Sequence, residues 1–248
     1  MRWLMRALVS AKGRLEDWMP RFSRVGDARY FDPARFDWVP EIEASWRTIR
    51  AELDEVLSYR DELPNFQDIS EDQACITSDD RWKTFFFYGY GFKAEGNCER
   101  CPRTAALLDR IPGMTTAFFS ILAPHKHIPE HRGPYKGVLR YHLGLIVPDP
   151  PSSCGITVGG ETRSWQEGRS LVFDDTFPHE AWNGSDDYRV VLFVDFVRPL
   201  RFPLSALNRA MISAVRLSPF IQDAKGNLLD WEERFQQLEE HRKEPVTG

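Results

Sequence analysis

The chain has 248 residues, 42% of them hydrophobic, which is enough to bury a full core as one large domain or as one domain with helical extensions. A formal net charge of -5 and an isoelectric point near 5.7, without a basic stripe, exclude the electrostatic footprint of a nucleic-acid binder. No run approaches the roughly 18 apolar residues of a spanning helix.

Residues 1–20 place Leu4, Leu8, Ala11, Leu15 and Trp18 at alternating spacings of four and three, with Arg2, Arg6 and Arg14 off that stripe, until Pro20 ends the pattern. An amphipathic helix is expected, either docked on the core or lying as a basic anchor at a lipid headgroup surface with Trp3 and Trp18 at the interface. Arg2 and Arg6 interrupt any apolar run, so a cleaved signal peptide is not expected. Residues 21–81 read as a helical flank, in which Trp38, Ile42, Trp46, Ile49, Leu53 and Val56 repeat at helical spacing from Phe36 to about Arg60.

Over residues 82–200 the period becomes that of strands, with strand patterns at 83–90, 115–122, 138–147, 155–158, 170–174 and 188–197. Turn-forming runs at 148–153 and 182–187 separate them. Residues 201–248 return to helical periodicity and end in a charged segment. Short strands with helices segregated before and after them predict a mainly β, α+β chain: a β-sandwich or open barrel with helical flanks. Of the cysteines, Cys75, Cys98, Cys101 and Cys154, only Cys98-Glu-Arg-Cys101 is tightly spaced. It lacks the partners of a zinc site and reads as thiols of a reducing compartment or a minor redox pair.

Five of the six histidines fall between residues 125 and 179, and neutral imidazole is the commonest transition-metal ligand. Strand alternation puts Arg140 and His142 on one face and Leu139, Tyr141, Leu143 and Leu145 on the other. A cation and an imidazole on the inner face of a small barrel need a ligand to satisfy them. Arg189 lies opposite Val190, Leu192 and Val194, and a buried guanidinium suits a planar carboxylate. Ser120 can add a hydroxyl donor. Asp174 and Asp175 are read either as orienting His179 or as capping a turn, and His125 and His127 as loop surface residues.

Taken together, Ser120, His131-Arg-Gly-Pro, Arg140-Tyr-His-Leu-Gly-Leu, Phe173-Asp-Asp-Thr-Phe-Pro-His179-Glu-Ala-Trp and Arg189 form a series that resembles the aspartyl/asparaginyl β-hydroxylase family of Fe(II)- and 2-oxoglutarate-dependent oxygenases. The resemblance covers 115–199 and is more diffuse from Trp82. It implies a double-stranded β-helix (a jelly-roll, cupin-like core), and it implies that His131 and His179 are the catalytic metal ligands. It also implies that Arg189 with Ser120 binds one end of 2-oxoglutarate, that Arg140 and His142 serve the other, and that dioxygen hydroxylates an unactivated C–H bond. Many such oxygenases carry a carboxylate two residues after the first histidine; here that position is Gly133, an absence the family shares, with water in the carboxylate's place.

Family members that act on aspartyl or asparaginyl side chains in proteins carry an arginine where this chain has Val138. The runs Gly137-Val-Leu-Arg-Tyr-His-Leu-Gly-Leu and Asp195-Phe-Val-Arg-Pro more closely resemble bacterial hydroxylases acting at C2 of acyl chains on lipid A or related aminolipids. The expected substrate is therefore such a lipid. The alternatives are Asp or Asn in a peptide, protein or free amino acid, or no turnover at all in a cupin-like metal-binding protein. A cytoplasmic enzyme peripheral on a membrane surface is expected, contacting it through residues 1–20.

Overall fold

Helices and strands segregate along the chain. The computed structural model describes residues 2–70, 74–90 and 92–243, with the side chains of 2–11, 220 and 239–243 outside the description. Ahead of the first long strand come α1 (Arg2–Phe22), the short edge strand β1 (Tyr30–Phe31), α2 (Val39–Ala44), α3 (Trp46–Leu57) and α4 (Phe66–Ile69). Then follow β2 (Trp82–Gly89), β3 (Phe92–Lys93), α5 (Glu95–Arg100), α6 (Pro102–Leu108), β4 (Met114–Leu122), β5 (His127–His131) and β6 (Val138–Ile146). The chain continues through β7 (Cys154–Val158), β8 (Glu161–Arg163), β9 (Ser170–Phe173), β10 (His179–Asn183) and β11 (Arg189–Val197), and closes with α7 (Leu204–Arg216) and α8 (Pro219–Lys243).

The strands form a seven-stranded sheet ordered β1-β9-β6-β11-β4-β2-β3 and a four-stranded sheet ordered β5-β10-β7-β8, with every strand pairing antiparallel. This is the jelly roll. Its long sheet is covered on the outside by helices: Leu139, Tyr141, Leu143 and Leu145 of β6 and Val190, Leu192 and Val194 of β11 pack with Ile49 and Leu53 of α3 and Leu108 of α6. Each such fully buried aliphatic side chain contributes about 1.5–3 kcal/mol. Between the sheets lies a second, smaller apolar cluster that includes Trp165, Phe173 and Val191. The inner face of the long sheet is therefore half apolar, half polar.

Two elements differ locally from the sequence reading. The expected helix from Phe36 is two helices broken at Ser45 (φ −92°, ψ 4°), although Ile42, Ile49, Leu53 and Val56 are buried as the stripe requires. Helix α1 runs through Pro20 to Phe22 rather than stopping there; Pro20 removes one N–H from the ladder, and the helix ends two residues later. Its docked face is Leu15, Met19 and Phe22, packed against Leu200 and Leu204, while Trp18 is 53% exposed. Leu4, Leu8, Ala11 and Trp3 lie outside the described side chains. Among the described residues no helix is long and apolar enough to cross a membrane.

Candidate active site

The paired histidines come from the short sheet. Strands β5 and β10 run antiparallel with His131 directly opposite His179, and their ring centroids are 4.1 Å apart. Between His179 and Ala181 the register slips, so that β5 carries one extra residue. Pro129 sits in that stretch of an edge strand, where its missing N–H is tolerated. Both imidazoles are held in the same way: the His131 Nδ1 lies 2.8 Å from the Pro129 carbonyl and the His179 Nδ1 lies 3.0 Å from the Phe177 carbonyl. Each Nδ1–H donates to a carbonyl two residues earlier, which leaves Nε2 with the lone pair of a metal ligand.

Burial, helped by the Arg140 charge, pulls His179 down to about 3, and burial lowers His131 as well. Both rings are thus neutral at ordinary pH, the form that binds a metal. Among the described residues no group of three or more His, Cys, Asp or Glu is disposed to hold a metal ion. Two imidazoles are what this site offers.

Across from them, the long sheet supplies Arg189, Ser120 and His142. Arg189 is buried without a carboxylate partner, its Nη1 reaching only the Ser120 carbonyl at 3.5 Å and its Nε unpaired. The guanidinium lies 4.5 Å over the ring of Trp165, and burial pulls it down to about 10. The hydroxyl of Ser120 accepts a 3.0 Å bond from Trp82 Nε1 and keeps its own proton to donate. His142, stacked on Trp165 at 6.0 Å, has no partner for either ring nitrogen, and burial drives it well below the ordinary histidine value. The indole N–H of Trp165 is unpaired as well.

Arg140 stands differently from the expectation that it serves the cosubstrate with His142. Its Nε and Nη2 donate to the two carboxylate oxygens of Asp195 at 2.8 and 3.0 Å, and Asp175 lies 2.9 Å from Nη2. Arg140 therefore has two carboxylates beside it, whereas among the described residues no carboxylate pairs with Arg189. Asp175 in turn explains Gly133. A Cβ at that position would sit 2.1 Å from Asp175 Oδ2, so the space beside the first histidine is filled by a carboxylate from another segment. Burial raises Asp175 to about 7. Asp174 does not touch His179; it caps the turn at Thr176 and pairs with Arg198 at 2.7 Å, both side chains fully buried.

His125 and His127 are exposed and face Asp186 and Glu180, as surface residues do. Cys98 and Cys101 are buried free thiols. Sequence reasoning missed Asp195 and Trp165. Asp195 was within reach, since 189, 191, 193 and 195 share a face of β11 and Asp195 pairs with Arg140 across the ladder. Trp165 sits in a loop that no periodicity points to. That loop approaches so closely that a Cβ at Gly144 would meet the Gln166 carbonyl at 2.2 Å, which is why β6 carries glycine there.

Two imidazoles on one sheet of a jelly roll, facing a buried guanidinium on the other, define a cupin-like fold with a polar site between its sheets. Residues 43–199 match the aspartyl/asparaginyl beta-hydroxylase family, and the chain belongs to that family. Over 215 residues it is 50% identical to the ornithine lipid ester-linked acyl 2-hydroxylase of Rhizobium tropici, a match covering 87% of this chain and 76% of that protein. Over 166 residues it is 35% identical to the aspartyl/asparaginyl beta-hydroxylase of Mus musculus, covering 65% of this chain but only 22% of that protein. A solved cupin domain of an XRE family transcriptional regulator from Enterobacter cloacae aligns at 16% identity, covering 47% of this chain and 96% of that one, with a TM-score of 0.33. Homology to hydroxylases marks the chain as an enzyme.

Proposed function

We propose that this chain is a ferrous- and 2-oxoglutarate-dependent dioxygenase that hydroxylates C2 of an acyl chain on a membrane lipid, first among them an ester-linked chain of an ornithine-type aminolipid. The observation that carries this reading is a cluster of buried polar atoms without hydrogen-bond partners between the sheets, Arg189 Nε, both ring nitrogens of His142 and Trp165 Nε1, beside two neutral imidazoles; the Asp175 oxygens, near Arg140, are also without one. Leaving one such group unpaired costs about 1–3 kcal/mol, so a cluster of them marks a site shaped for a ligand. A dicarboxylate 2-oxoacid fits these donors and the vacant Nε2 positions together.

In this reading His131 and His179 hold the iron, Arg189 and Ser120 bind the far carboxylate of the cosubstrate, and His142 faces its other end. Arg140 holds Asp175 and Asp195 in place. Bound iron and 2-oxoglutarate supply the oxidising power that puts one atom of dioxygen into a C–H bond while the cosubstrate becomes succinate and carbon dioxide. Trp165, Phe173 and Val191 wall the cosubstrate side and keep bulk water out. Residues 82–200 carry all of these side chains and form the proposed oxygenase core, with 1–20, 21–81 and 201–248 as flanks.

The lipid substrate rests on the similarity to the Rhizobium tropici enzyme over most of the chain. Of the lipid classes expected from the sequence, aminolipid is favoured over lipid A by that relative. Such a substrate places the enzyme peripherally at a membrane surface. The test is incubation of the purified protein with Fe(II), 2-oxoglutarate, oxygen and ornithine-lipid vesicles. One added oxygen on the ester-linked acyl fragment, matched by succinate and lost in His131→Ala, supports the reading; succinate release indifferent to lipid counts against it.

A further inference from the structure

Delivering the carbon beside an ester carbonyl to the histidine pair brings the remaining methylenes of the chain with it. They require an apolar surface. One cavity of about 290 Å³ opens beside His131, and its charged lining side chains at that end are Arg132, Arg140, Asp175 and Asp195. Lys225 of α8, over the Phe92 ring, is the other charged group on its wall.

Between these ends the sheet presents an aromatic row. Ladder register puts His142 opposite Phe193, Phe193 opposite Phe118, and Phe118 opposite Phe86, on four adjacent strands. The rings touch: Phe118 stacks on Phe193 at 4.2 Å and on Phe86 at 4.5 Å, and Phe66 of α4 continues the row 5.4 Å from Phe118. Two interstrand spacings make the stretch from Phe193 to Phe86 about 10 Å long, and His142 at the end of the row lies outside the cavity lining. Ile69 and Ile76 form one side wall, and Ile221, Ala224 and Leu228 of α8 form another. The segment carrying Ile76 is pinned from behind, because the buried Lys126 ammonium donates to Thr77 and Asp79 at 2.9 and 2.7 Å.

We propose that this trough, paved by Phe193, Phe118 and Phe86 and closed by Phe66 and Leu228, is the acyl-chain subsite. It takes one unbranched chain that runs from its reacting end at His131 toward α8. The inference rests on the hydroxylase reading above and deepens it. An unbranched hydrocarbon chain is the occupant that matches a narrow aromatic floor, charge confined to the ends, and a mouth that opens on His131 of the histidine pair. The wall residues on α8 then set how long a chain is measured.

The test uses the full chain and cis-parinaric acid, a fluorescent polyene fatty acid, displaced by methyl esters of saturated fatty acids of about six to sixteen carbons below their micellar limits. Affinity should rise about fourfold per methylene until the trough is full and then level off. Ala224→Trp, on α8, should bring the plateau several carbons earlier while leaving the shortest esters within about twofold of the unsubstituted protein. Gly89→Leu provides a second block from the opposite wall, since a Cβ there meets Leu228 and Phe86 only at 3.7 and 4.0 Å. Retention of the thermal shift with 2-oxoglutarate verifies that each variant is folded.

A length profile unmoved by both substitutions, or weakened equally at every length, overturns the subsite. The two readings fail separately. A shifted binding profile without hydroxylated lipid leaves the trough standing and removes the reaction; hydroxylation with a length preference that neither variant alters does the reverse.

Discussion

Replacing Arg189 by methionine should make the ligand-free protein more stable and nearly abolish its affinity for 2-oxoglutarate. The guanidinium is buried without a counter-ion, and burial alone brings it down to about 10. At about 1.4 kcal/mol per pH unit, the distance from the ordinary guanidinium value corresponds to about 3 kcal/mol spent on holding the charge in the pocket. Methionine keeps the length of the stem and removes the charge. It forfeits the stacking on Trp165, about 1–2 kcal/mol, and the long bond to the Ser120 carbonyl. The balance is a stabilisation of about 1–2 kcal/mol in metal-free protein, which for a chain of this size raises the melting temperature by about 2–8 °C.

Cosubstrate binding should move the other way. Losing a buried charge-assisted pair costs about 2–5 kcal/mol, or about thirtyfold or more in Kd. Thermal melts with and without 2-oxoglutarate, in the presence of a chelator and then of Mn(II), read both quantities at once. A variant that melts below the unsubstituted chain, or that binds 2-oxoglutarate within about threefold of it, would refute the assignment of Arg189 as a carboxylate receptor kept at the expense of stability.

Acid should destabilise the ligand-free protein in a window set by opposing groups. His179, held near 3, and His142, held well below its usual value, stay neutral while the unfolded chain takes up their protons, so stability falls below about pH 6.5 by ~1.4 kcal/mol per unit for each. Asp175, raised to about 7, acts oppositely: its contribution is complete below about pH 4 and is lost as pH rises through 7. The net slope between about pH 4.5 and 6 should be at least one proton in urea titrations, and Asp175→Asn should steepen it by one. Gly133→Ala should cost about 1–3 kcal/mol through collision with Asp175 and be rescued by a second substitution, Asp175→Ala, as melting temperatures will show. Arg198→Ala strands the buried Asp174 carboxylate and should cost about 3–5 kcal/mol by chemical denaturation, somewhat less if Lys136, 3.7 Å away, closes in. Mn(II) and 2-oxoglutarate should each raise the other's affinity in calorimetric titrations.

The core of the fold was legible because its strands alternate strongly: residues 138–146 declare one apolar face, and the helices that cover it carry their own stripe. The strands that carry the histidine pair were not. Strand β5 reads His-Ile-Pro-Glu-His and β10 reads His-Glu-Ala-Trp-Asn, short and polar, and only Ile128 of β5 is buried. Their strand form is imposed by pairing with β7 and with each other. The histidines were found through motif spacing, which does not depend on local propensity. Arg140 looked equivalent to Arg189, since each is a lone cation on an inner face. What separates them is which carboxylates fold against them, Asp195 across the ladder and Asp175 from the turn before β10, and that is tertiary information.

Charge balance ties these features together. Without ligands, the carboxylates of Asp175 and Asp195 both lie against Arg140, the two imidazoles are neutral, and Arg189 holds its buried positive charge with no carboxylate among the described residues beside it. A dication added alone would bring two positive charges with no protein carboxylate on it, because the position beside His131 is glycine and the carboxylate filling its space lies against Arg140. A dicarboxylate added alone satisfies Arg189 but leaves its second carboxylate without a cation of its own. Added together they bring no net charge, and each neutralises what the other leaves exposed. On the oxygenase reading proposed above, Gly133 does more than omit a ligand: tight metal binding should require the cosubstrate, a dependence that Mn(II) titrations with and without 2-oxoglutarate read.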